Sequence, residues 1–167
     1  MHKVYLSLGS NLGHKEDNIR KAIELIGLRV GLVARQSSLI STEPWGFESD
    51  NQFVNAAVLC HTELSPREVL RATQKIEREM GRKHKSVGGN YADRIIDIDI
   101  LLYDELRVDE PDLQIPHPLM LKREFVMRPL REIREDWRAT SPTLKPISSI
   151  ALRIFSSLSP RLLPSPR

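Results

Sequence analysis

The 167-residue sequence predicts an α+β fold, an antiparallel sheet with helices packed on it in the order β-α-β-β-α-β. Three observations predict it. Val4-Tyr5-Leu6-Ser7-Leu8 near the start, and Ile95 to Tyr103 much later, have the two-residue alternation of strands. Two stretches between them repeat their apolar residues at helical spacing. Two further strand candidates lie between those helices, which makes the order that of the split, ferredoxin-like arrangement, with both helices on one face of the sheet.

In the first strand, Val4, Leu6 and Leu8 share a face, and Gly9-Ser10-Asn11-Leu12-Gly13 reads as a tight polar turn at its end. A helix follows, with Ile19, Ala22, Ile23, Ile26 and Val30 inward and Glu16, Asp17, Arg20, Lys21 and Glu24 outward. Leu32 to Ile40 is a less regular strand candidate. Phe53 to Cys60 is a third, after a loop of turn formers from Ser41 to Asn51. Ser65-Pro66-Arg67-Glu68 places serine at an N-cap, proline at the first helical position and glutamate at the third, a capping box. That helix turns Val69, Ala72, Ile76 and Met80 inward and stops at Gly81, with Leu70, Gln74 and Glu77 on a neighbouring face. A basic, glycine-bearing loop from Arg82 to Arg94 then leads into the last core strand. Further C-terminal helices are expected, the first at Glu124 to Glu135 with Phe125, Leu130 and Ile133 inward. Residues 1–158 are expected to form one domain, and the serine- and proline-rich 159–167 a loose tail.

Composition narrows the function. With 28% charged and 40% hydrophobic residues the chain suits one soluble domain, and no window approaches the roughly 20 apolar residues of a membrane span. Met1-His2-Lys3-Val4 runs into a strand rather than a secretory signal, so the expected location is the cytoplasm. The single cysteine, Cys60, excludes an internal disulfide and reads as a buried structural thiol. The net charge of +3 comes from the tail: residues 138–167 hold five basic and no acidic residues, while the body is slightly acidic. That distribution is not a nucleic-acid surface.

The chemistry concentrates in Arg94-Ile95-Ile96-Asp97-Ile98-Asp99-Ile100-Leu101-Leu102. On a strand, Ile96, Ile98, Ile100 and Leu102 point into the core while Asp97 and Asp99 point together to the other face, about 7 Å apart at Cα. Two such carboxylates repel each other. A divalent cation relieves that repulsion, and Mg²⁺ commonly takes one or two carboxylates plus phosphate oxygens. The competing reading is a strand solvated by its charges, but aspartate is among the poorest strand formers. Arg82, Lys83, His84, Lys85 and Arg94 flank the pair, as a polyphosphate site requires. Gly88 and Gly89 make that loop a candidate lid. Phe53 and Asn55 share one strand face, where a ring can stack on a flat heterocycle and an amide read its edge. The same two residues also read as a core phenylalanine beside a sheet asparagine.

Taken together the segments resemble the hydroxymethyl-dihydropterin pyrophosphokinase family, folate-pathway enzymes that move diphosphate from ATP to a pterin alcohol. The resemblance rests on Leu8-Gly9-Ser10-Asn11-Leu12-Gly13, Ser41-Thr42-Glu43-Pro44-Trp45-Gly46, Phe53-Val54-Asn55-Ala56-Ala57-Val58 and Gln74-Lys75-Ile76-Glu77 with Gly81-Arg82. It continues through Arg94-x-x-Asp97-Ile98-Asp99-Ile100, Ile115-Pro116-His117-Pro118 and Arg123-x-Phe125-Val126-x-x-Pro129-Leu130. It implies that Asp97 and Asp99 hold two Mg²⁺ ions and form, with Arg82 and Arg94, the catalytic group. Thr42, Trp45, Phe53, Asn55, Tyr91 and Phe125 would bind the pterin, the ring lying between Phe53 and Phe125. Gln74, Glu77, His84, Lys85, Arg94, Ile100, His117 and Arg123 would bind ATP. The pterin hydroxyl would attack the β-phosphorus, release AMP and leave its proton to Asp97. The expected partners are those two small molecules, with no nucleic acid and no membrane, and the chain is expected to be a monomer.

The sequence departs from the family pattern at His84, Asn90, Asp93 and Arg134-Glu135. The runner-up is a palm-type, Mg²⁺-dependent nucleotidyltransferase on the same fold, which would leave the segment from Thr42 to Asn55 without a purpose. An RNA-recognition module ranks last, because Asp97 and Asp99 would repel phosphate without a metal.

Overall fold

The computed structural model describes residues 1–43, 48–82 and 93–134. The expected boundary at 158 and the tail 159–167 lie outside them.

Hydrophobic alternation produces the sheet: β1 (His2–Ser10), β2 (Leu32–Gln36), β3 (Ile40–Thr42), β4 (Phe53–Thr62) and β5 (Asp97–Tyr103). Their order is β2-β4-β1-β5, with β3 also on β4. Every pairing is antiparallel. Helices α1 (Lys15–Arg29) and α2 (Pro66–Glu79) cover one face. There Val4, Leu6 and Leu8 of β1, Val54, Ala56, Val58 and Cys60 of β4, and Ile98 and Ile100 of β5 meet Ile19, Ala22 and Ile26 of α1 and Val69 and Ile76 of α2. This is the expected ferredoxin-like core.

The capping box starts α2 as its sequence predicts: Ser65 Oγ accepts from Glu68 N–H, and the Glu68 carboxylate accepts from Ser65 N–H at 2.7 Å. Gly81, at φ +98°, ends it in a conformation that a side chain would strain. Burial pushes the Cys60 thiol up to about 11, consistent with a structural role.

Three differences from expectation have physical causes. The strand expected over Leu32 to Ile40 is two strands, because Ser37 interrupts it: its N–H donates to Ala57 O, while its Oγ accepts from Ala57 N–H, both at 2.9 Å. Gly9 belongs to β1 rather than to the turn after it. A hairpin, β6 (Val108–Glu110) with β7 (Leu113–Ile115), follows β5 and is anchored to α2 through Arg67, which pairs with Glu110 and, at 2.6 Å, with Asp112.

The helix expected near 124 is α3 (Glu124–Ile133). Leu130 and Ile133 are buried, whereas Phe125 is half-buried and faces the cleft described below. The Glu132 carboxylate ties α3 to the break between β2 and β3, accepting from Ser38 N–H at 2.8 Å and Ser38 Oγ–H at 2.7 Å.

The turn from α1 into β2 depends on a close backbone approach. A Cβ on Gly31 would lie 2.1 Å from His61 O and 2.9 Å from His61 C, both backbone atoms that cannot step aside. Gly31→Ala is expected to destabilise the protein by roughly 3 kcal/mol, the upper part of the range for overpacking. Urea unfolding followed by circular dichroism checks this. A midpoint equal to that of the parent would show that the turn yields.

Candidate active site

The face of the sheet opposite α1 and α2 carries the complementary alternation, and there the antiparallel register sets the site. Gly9 of β1 is paired with Asn55 on one side and Asp97 on the other; Ser7 is paired with Ala57 and Asp99. Directly paired residues share a face, so Asn55, Gly9 and Asp97 form one row and Ala57, Ser7 and Asp99 the next. Thr42, paired with Phe53, extends the floor. Above these rows lies a cleft of about 470 Å³.

The cleft brings together ten of the predicted site residues: Thr42, Phe53, Asn55, Arg82, Arg94, Asp97, Asp99, His117, Arg123 and Phe125. Ile100 lines an adjoining cavity of about 170 Å³ with Leu70, Ile98 and Leu113; the two cavities share Asp99, Gln114, His117 and Pro118. Gln74 and Glu77 line neither. Glu77 is buried instead, accepting from Ile98 N–H of the edge strand β5 at 2.8 Å and from Arg82 at 3.4 Å. It satisfies a main-chain donor on the strand that presents the two aspartates. Trp45, His84, Lys85 and Tyr91 lie outside the described residues.

Charge is paired closely at the floor. Arg82, with its side chain 5% exposed, donates to Asp97 Oδ1 and to the Ile96 carbonyl at 3.2 Å. Arg94 donates to Asp97 Oδ2 at 3.0 Å, and its guanidinium lies 5.4 Å from the centroid of the Phe53 ring. Arg123, which also lines the cleft, stands 5.8 Å from the centroid of the Phe125 ring. Both rings therefore have a cation beside them. Asn55, 3% exposed, donates from Nδ2 to Thr42 Oγ1 at 2.7 Å, and this orients its amide.

Asp97 and Asp99 both turn away from the core into the cleft, as their alternation with the isoleucines predicts. Among the described residues no group of three or more His, Cys, Asp or Glu is placed to hold a metal ion. A pair of carboxylates in an open cleft that Arg82, Arg94 and Arg123 also line fits Mg²⁺, which keeps waters and substrate oxygens in its shell, rather than a metal held in a closed protein cage.

Sequence reasoning missed Gly9, Ser7 and Gln114. Gly9 is the floor: a Cβ there would come within 3.1 Å of Asn55 Oδ1 and 3.6 Å of Phe53 Cδ1. Its signal was present, as a glycine two residues beyond Ser7 within the same alternation. Gln114 arrives on the hairpin, which had no strong periodicity. His117 follows the hairpin, held by its N–H to Leu101 O at 2.9 Å. No helix of the described residues is long and apolar enough to cross a membrane.

A family model described as 7,8-dihydro-6-hydroxymethylpterin-pyrophosphokinase matches residues 5–135. The chain is 48% identical over 141 residues to a 2-amino-4-hydroxy-6-hydroxymethyldihydropteridine pyrophosphokinase of Porphyromonas gingivalis, covering 84% of this chain and 96% of that protein. It is 40% identical over 131 residues to the protein of the same name in Bacillus subtilis, covering 78% and 77% respectively. Among solved structures, a Plasmodium falciparum HPPK-DHPS triple mutant superposes with a TM-score of 0.61 at 16% identity. That match covers 78% of this chain but 40% of the longer one, and it shows the shared fold.

Proposed function

The chain belongs to the 7,8-dihydro-6-hydroxymethylpterin-pyrophosphokinase family, and from that membership we propose how its own residues divide the work. The reaction is ATP-dependent pyrophosphorylation of hydroxymethyldihydropterin in folate biosynthesis, with AMP as the other product. The observation that carries the assignment of roles is the opening of Asp97, Asp99, Phe53, Asn55 and Phe125 into one cleft with Arg82, Arg94, His117 and Arg123.

The pterin end is formed by Thr42, Asn55, Phe53 and Phe125. Asn55, buried and oriented by Thr42, offers an amide to the polar edge of the heterocycle, and the two rings offer their faces. The bare Gly9 leaves room for the ligand to approach the sheet. The triphosphate lies toward Arg82, Arg94, His117 and Arg123, and Ile100 in the adjoining cavity contacts the nucleoside. Asp97 and Asp99 would hold Mg²⁺, two ions in our reading, which when bound neutralises the phosphate oxygens and orients them. In-line attack on the β-phosphorus needs positioning and charge stabilisation more than an activated nucleophile, and this site supplies both. Asp97 lies at the floor as the carboxylate to receive the hydroxyl proton. Gln74, Trp45, His84, Lys85 and Tyr91 remain proposed substrate contacts on the resemblance alone, whereas Glu77 supports β5 from beneath. We also propose that the protein acts as a cytoplasmic monomer that does not bind nucleic acid.

Analysis of the nucleotide products, with ATP and Mg²⁺ present, tests the reading. AMP is expected only when the reduced hydroxymethylpterin is added. Pyrophosphate formation instead would favour nucleotidyl transfer and leave the pterin end of the cleft unexplained.

A further inference from the structure

Asp93 has no role in the site as described, yet it joins the two sides of that site. Its Oδ1 accepts from Asn11 Nδ2 at 2.6 Å and its Oδ2 from Asn51 Nδ2 at 3.0 Å. The Ser49 hydroxyl, Asn11 and Asn51, together with the nearby Arg94 charge, hold the carboxyl below the usual carboxylate range despite its desolvation. Asn11, at the end of β1 and 1% exposed, is the centre of the arrangement. Its Oδ1 accepts from Arg94 N–H at 2.6 Å, and its own N–H donates to Arg94 O at 3.0 Å. Residues 93 and 94 are thereby clamped to β1 through side chain and backbone.

Arg94 then reaches Asp97 and lies over Phe53. Asn51, on the other side of Asp93, is two residues before Phe53. One carboxylate thus binds the segment that carries the phosphate-side arginine to the segment that leads into the pterin-side ring. We propose that Asp93 is a positioning residue for diphosphate transfer, a clasp that holds Arg94 and Phe53 in one geometry. The proposal rests on the functional reading above.

The test exploits the direction of the hydrogen bonds. Asp93→Ala removes the oxygens that accept from both the Asn11 and the Asn51 amides, which no flip of either amide can replace. The paired change Asp93→Asn with Asn51→Asp instead keeps an oxygen for Asn11 and one donor and one acceptor between positions 93 and 51. The single variant is expected to lose roughly tenfold in kcat and to raise the KM for the dihydropterin about fivefold, the scale of a small misplacement of reacting groups. The paired variant should recover most of both. Because Asp93 is exposed, the melting temperature should stay near that of the parent.

Hydrogen exchange at the Arg94 amide supplies a readout independent of turnover, and it should speed up in the single variant and slow again in the pair. Parent-like kinetics in the single variant, no recovery in the pair, a fall in kcat matched by lost folded protein with KM unmoved, or unchanged Arg94 exchange would each overturn the clasp. If the parent itself made no AMP with dihydropterin, the functional reading would fail, and Arg94 exchange would still decide whether the clasp exists.

Discussion

Asp99→Ala is expected to abolish turnover while leaving the fold in place. The carboxylate faces the cleft from β5, away from the packed isoleucines, so its removal opens no cavity in the core. Loss of one of the two carboxylates proposed to hold Mg²⁺ should lower kcat on the order of a thousandfold, and thermal unfolding should remain within about 2 °C of the parent. Asp97→Ala should behave differently, although the two residues read alike in the sequence. Asp97 faces two guanidinium groups, one of them on the buried Arg82. Deleting it leaves that cation with Glu77 and the Ile96 carbonyl. A stability loss on the order of 2 kcal/mol should therefore accompany the loss of activity. Steady-state kinetics with denaturant titration on both variants separates these roles. A folded Asp99→Ala protein with near-parent turnover would remove Asp99 from the metal site.

Phe53→Ala is expected to weaken the pterin far more than ATP. The ring lines the cleft, as Phe125 does. Losing its stacking and burial should cost about 2 kcal/mol of pterin binding, roughly thirtyfold in KM. The KM for ATP should change by less than about threefold, because the triphosphate contacts proposed above lie on other residues. Arg94 over the same ring provides the internal control. If both KM values rose together, Phe53 would be a support for Arg94 rather than a wall for the heterocycle.

Most elements of the fold were legible because their causes are local. Ile19, Ala22 and Ile26 recur at the helical period and are all fully buried. Ser65 and Glu68 are three residues apart, and they close the capping box that spacing predicts. The alternation of Asp97 and Asp99 with isoleucine placed both carboxylates on the open face before any tertiary contact was known. Phe53 and Asn55 were legible only as an ambiguous pair, since one strand cannot say whether its second face meets a helix or a ligand. The structure gives that face to the cleft, which Phe125 of α3 also lines. The hairpin at Val108–Ile115 was missed because its three-residue strands are too short for a periodic signal.

Periodicity, capping and turn chemistry act over a few residues, so sequence alone established the elements, the face on which the aspartates lie and the family resemblance. The tertiary structure decided which distant groups share a hydrogen bond. It seated Glu77 on the Ile98 amide, paired Asp97 with Arg82 and Arg94, and joined Asn11, Asn51 and Asp93 across intervals of 40 to 82 residues. A polar side chain in a sequence announces a donor or an acceptor. Only the packing of the sheet selects its partner, because register and burial together determine which groups meet where water is excluded.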